Sequence, residues 1–91
     1  MTDIARWKAL LEKLNAEKLS DQRAERLSRE FDAVTRRIFN SRESILDKVF
    51  MLKYFVRSGA RETACLGIAS IEKDLNFIRL AELLGPSHIR T

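Results

Sequence analysis

An all-α fold of four helices is what this sequence predicts, and three features of the chain predict it. Neither glycine nor proline occurs between Met1 and Ser58, whereas strands come with such turn chemistry at short intervals. Ala, Leu, Glu, Lys and Arg, the strong helix formers, are abundant. Apolar residues recur at spacings of three and four, which places them on one side of a helix.

The first helix is expected over about residues 3–18. Ile4, Trp7, Leu11 and Leu14 make its stripe, Leu10 widens it, and Asp3 suits the positive end of the helix dipole. A second helix is expected over about 20–39, with Leu27, Phe31, Val34 and Ile38 as its stripe and Ala24 and Phe39 extending it. At about 100° per residue the second stripe is rotated roughly 100° from the first, so a break near Leu19-Ser20 is favoured. Ser20 suits the cap of the new helix. One continuous helix over 3–39 is the alternative.

Residues Asn40 to Ser44 read as a turn. Asn40 or Ser41 offers a cap, and Asn40 with Glu43 has capping-box spacing. A third helix follows over about 42–57, ended by Ser58-Gly59, and a fourth over about 60–84, ended by Gly85-Pro86. Residues 86–91 read as a loose tail. With 91 residues, the chain fits a single domain.

Helix three is apolar on nearly every side, from Ile45 and Leu46 through Val49-Phe50-Met51-Leu52 to Tyr54-Phe55-Val56. Helix four carries one seam of Ala64, Ile68, Ile71, Leu75 and Ile78. A second seam of Leu66, Ala69, Phe77, Leu80 and Leu84 lies on roughly the opposite side, interrupted by Lys73. Gly67 in the helix interior would permit close approach of another helix. A small monomer covers one side of each helix more easily than two, and an uncovered apolar seam marks an interface. Self-association is therefore expected, most simply as a twofold dimer. Phe50, Phe55, Leu66, Phe77 and Leu80 are the candidate interface residues.

Chemical sites are not expected. His88, the single histidine, lies beyond Gly85-Pro86, and one histidine with one cysteine cannot build a structural zinc site within one chain. Cys65 sits among apolar residues and reads as a small buried side chain. No nucleophile elbow, phosphate-binding glycine loop or paired-carboxylate motif is visible, so neither a cofactor nor an enzyme activity is expected. Asp47 and Asp74 read as core-edge partners for Lys48, Lys53 or Arg79.

The net charge of +4 comes from 17 cations and 13 anions that are interleaved along the chain, which permits an acidic partner without requiring one. The alternative function is nucleic-acid binding through Arg26, Arg29, Arg36 and Arg37, which fall broadly opposite the apolar stripe of helix two. Against it, Glu25, Glu30 and Asp32 lie among these arginines. Glu25–Arg29, Arg26–Glu30 and Asp32–Arg36 all have the four-residue spacing of stabilising pairs. No helix-turn-helix is apparent. A membrane role ranks lower still: Glu12 and Glu17 dilute the lysines around Trp7, and no stretch approaches the roughly 20 apolar residues of a membrane helix. The N-terminus is unlike a signal peptide, which together with the lone cysteine suggests a cytoplasmic setting.

The run Thr35-Arg36-Arg37-Ile38-Phe39-Asn40-Ser41-Arg42-Glu43-Ser44-Ile45-Leu46-Asp47-Lys48-Val49, with the later Ala69-Ser70-Ile71-Glu72-Lys73-Asp74-Leu75, resembles small helical proteins common in alphaproteobacterial genomes, often in prophage regions. The resemblance covers about half the chain. The sequence departs from that pattern in having Ser44 where a glycine would sit and no proline in the turn. Such proteins have no assigned activity, so the resemblance implies a bacterial, cytoplasmic protein and no particular chemistry.

Overall fold

A computed structural model describes residues 2–16, 18–42 and 44–85. The chain is all-α, with α1 over Asp3–Ala16, α2 over Asp21–Asn40, α3 over Ile45–Ser58 and α4 over Arg61–Leu84. It divides at Ser41–Arg42 into two compact units. Each unit is a pair of helices packed as a hairpin, α1 on α2 and α3 on α4.

The first hairpin is made by the two stripes seen in the sequence. Thr2 starts α1, its Oγ1 accepting a hydrogen bond from the Ala5 amide at 3.2 Å. Ser20 caps α2 by accepting from the Arg23 amide at 3.3 Å, so the chain breaks where the stripes change direction rather than continuing as one helix. Trp7 and Leu10 from α1 are buried with Val34, Thr35, Ile38 and Phe39 from α2. The Trp7 and Phe31 rings stack with centroids 5.2 Å apart. Trp7 Nε1 donates to Thr35 Oγ1 at 2.9 Å, and that hydroxyl donates to the Phe31 carbonyl at 2.8 Å. Both polar groups are thereby satisfied inside an apolar core, which is the condition for burying them.

The turn between α2 and α3 differs from expectation. Asn40 ends α2, and Ser41 closes that helix by donating from Oγ to the Ile38 carbonyl at 2.8 Å. Ser44 is the residue that caps α3, accepting from the Asp47 amide at 3.4 Å, so α3 begins at Ile45 rather than near 42. A short hydroxyl side chain serves either helix end, and sequence spacing alone does not choose between them. Glu43 of the expected capping box and the tail 86–91 with His88 lie outside the described residues.

The second hairpin turns at Gly59, whose φ of 76° is the left-handed cap conformation that glycine adopts without strain. Lys48, Met51 and Phe55 of α3 are buried, as are Ala64 and Gly67 of α4. The Lys48 ammonium pairs with the Asp74 carboxylate across the hairpin, and Lys48 has no exposed surface. This pair fixes the register. In an antiparallel hairpin it puts Phe55 at about the level of Gly67.

Candidate protein-interaction surface

The contact side of α4 overlaps the first seam at Ala64 and otherwise falls between the two seams seen in the sequence. Ala64, Gly67, Ser70 and Asp74 lie on the side of α4 that carries its buried positions, with the half-buried Ile71 as the large apolar residue among them. Taking Gly67 as the centre, Ile68 and Leu75 lie about 80–100° to one side. Leu66, Phe77 and Leu84 lie about 80–100° to the other, and Leu80 lies about 140° round in the same sense. One neighbouring helix cannot cover both flanks. The large apolar side chains that remain exposed among the described residues all belong to the second unit, and none to the first.

Helix lengths extend the same effect. At about 1.5 Å per residue, the 24 residues of α4 reach well beyond the 14 of α3. The register places Ile45, the first residue of α3, level with Phe77. Residues 78–84 therefore run past the end of α3, and this segment includes the exposed Ile78, Leu80, Leu83 and Leu84.

Four of the five candidate interface residues share one surface. In an antiparallel pair of right-handed helices, flanks turned in the same sense from the contact line lie on the same broad face of the hairpin. Phe50 of α3 is turned in the same sense as Leu66, Phe77 and Leu80 of α4. It lies level with about residue 72 by the Lys48–Asp74 register, in the gap that Lys73 leaves in the α4 seam. All four are about half exposed. At the open end, the Arg42 guanidinium lies 4.5 Å from the Phe77 ring centroid, a cation–π contact. Phe55 is the correction: it is buried, because the helical repeat puts it on the same side of α3 as the buried Lys48 and Met51. Leu84 belongs with the exposed set and was already visible in the second seam.

Cys65 is exposed rather than buried. It lies nearly opposite the contact side of α4, on the polar back shared with Glu72 and Asn76.

The α2 arginines occupy a salt-laced surface. Arg29 pairs with Glu25 at 2.5 Å and Arg36 with Asp32 at 3.1 Å, both at the expected four-residue spacing. Arg37 reaches Asp3 of α1 at 3.5 Å. Glu30 pairs with Arg6 of α1 rather than with Arg26, because its half-buried position turns it towards α1. Arg26 and Arg29 line an open depression with Gln22 and Glu25. Three of the four candidate phosphate contacts thus have a carboxylate within ion-pair distance.

Among the described residues no helix is long and apolar enough to cross a membrane, and no group of three or more His, Cys, Asp or Glu side chains is placed to hold a metal ion. Comparison with protein-family models, with curated proteins and with solved structures finds no match to this chain.

Proposed function

We propose that this protein is a non-enzymatic interaction or regulatory module that works through the apolar surface of its α3–α4 hairpin, in its simplest assembly as a twofold dimer. The observation that carries the reading is the concentration of half-exposed Phe, Leu, Ile and Val side chains on one unit. Patches of that kind on otherwise ordinary proteins are sites of protein association. The neutralised arginine surface of α2 supports the same choice, since a phosphate track needs cations that are not already paired.

The competing reading is a small nucleic-acid-binding regulator that uses Arg26, Arg29, Arg36 and Arg37. Fluorescence anisotropy with labelled duplex DNA and single-stranded RNA, titrated at two salt concentrations, decides between them. The interaction-module reading expects no more than weak, salt-sensitive binding, in the non-specific range of about 10⁻⁴–10⁻⁶ M. Nanomolar binding that is lost when the four arginines become alanine overturns it.

A further inference from the structure

We infer that the face formed by Phe50, Leu66, Phe77, Leu80 and Leu84 is the seat of a second copy of this chain, packed about a twofold axis, and that the opposite face with Val56, Ile68 and Leu75 is not. The inference rests on the interaction-module reading and adds to it the side on which the second copy sits.

Area is the first argument. These five side chains are exposed by 49%, 49%, 46%, 53% and 53% in that order. Their open surface is on the order of 450 Å² per chain, taking full aromatic and aliphatic side-chain areas of about 150–250 Å². Interfaces are about 60–65% apolar, so such a core implies a patch of roughly 700–750 Å² on each partner. A standard stable interface takes about 800 Å² per partner. The face is therefore large enough for a closed dimer without help from any other region.

Charge is the second argument. This face carries Arg42, Arg57 and Lys73 together with Asp47 and Glu62. An isologous interface sets one surface against itself, so it must not carry a single sign of charge. A face of mixed charge meets that condition, whereas a strongly acidic or basic partner would call for the opposite sign throughout. The two broad faces also differ in kind. Phe50 and Phe77 are aromatic anchors of the sort that dominate interfaces, and Val56, Ile68 and Leu75 provide none.

The test is light scattering after size-exclusion chromatography on the full chain, from about 10 µM to about 200 µM, because a dimer's population depends on concentration. The wild-type mass is expected near twice 10.5 kDa. Leu66→Glu and Leu80→Glu should each halve it, while Ile68→Glu and Leu75→Glu on the other face should leave it unchanged. All four positions are at least 44% exposed, so helix content by far-UV circular dichroism should persist in every variant. Should a glutamate variant lose that signal, Phe77→Ser replaces it as the probe of the same face. A wild-type mass of 10.5 kDa across the range overturns the second copy and leaves the interaction module to the anisotropy test. A dimer that survives both Leu66→Glu and Leu80→Glu, or that Ile68→Glu dissolves, overturns the assignment of the face. A mass beyond the dimer overturns twofold closure.

Discussion

The two hairpins have the same topology and nearly the same composition of parts, yet one encloses its apolar residues and the other does not. In the first, α2 concentrates Leu27, Phe31, Val34 and Ile38 on a single side and gives the other to paired charges. In the second, α3 and α4 spread large apolar residues over both flanks, and the buried positions of α4 are the small Ala64 and Gly67. A helix in a hairpin has one neighbour, and one neighbour covers one stripe. The width of the apolar arc, not the hairpin topology, therefore decides whether such a unit is complete.

The largest expected effects break each core in its own way. Trp7 is fully buried and hydrogen-bonded, so Trp7→Ala should cost about 3–5 kcal/mol in urea unfolding followed by circular dichroism. Leu83→Ser, at 78% exposure, should change the same measurement by no more than about 0.5 kcal/mol. Equal losses from the two would end the contrast between an enclosed and an open hairpin.

The second core depends on the Lys48–Asp74 pair. Asp74→Leu removes the cross-hairpin counter-charge of the buried Lys48 ammonium and should cost about 3–5 kcal/mol. The double variant Lys48→Met with Asp74→Leu should regain most of that loss, since apolar replacement of a whole buried pair is often neutral or stabilising. If the double variant stays as unstable as the single one, the pair does more than offset its own desolvation.

A smaller effect separates hydrogen bonding from packing in the first core. Thr35→Val keeps the shape of the side chain and removes the hydroxyl, leaving the Trp7 N–H and the Phe31 carbonyl without their shared partner. A loss of about 1–3 kcal/mol is expected, read by the fluorescence of Trp7, the single tryptophan. No loss would mean that the core rests on shape alone.

Periodicity made much of this fold readable. The stripes of α1 and α2 named the side that became buried, and the rotation between them located the break capped by Ser20. Gly59 was readable because a left-handed helix end selects glycine. In α4 the same method misled, since it weighs side chains by hydrophobicity. The buried side there holds Ala64 and Ile71 of the first seam together with Gly67, Ser70 and Asp74, whose value lies in small volume and one cross-hairpin charge. The burial of Phe55 was hidden for a like reason: α3 is apolar on nearly every side, so its pattern does not single out the side that Lys48, Met51 and Phe55 share. Cys65 was misplaced for a related reason: its apolar sequence neighbours lie on other sides of the helix. Thr35 gave no signal in the pattern, because a polar residue within a stripe shows its partner only when Trp7 from another helix is in place.

The smallest expected effect concerns the charged surface that distinguishes the first hairpin. Its Arg29–Glu25 and Arg36–Asp32 pairs are mostly exposed to water, where Coulomb attraction is weak and holding two long side chains opposes the gain. Arg29→Ala and Arg36→Ala should therefore each cost no more than about 0.5 kcal/mol, and less in high salt. Additivity is expected between them, since neither pair shares a partner with the other. A loss above about 1 kcal/mol from either would place the stability of this hairpin in its surface. The smaller loss would leave it in the Trp7–Phe31–Thr35 core, where the buried side chains and their hydrogen bonds lie.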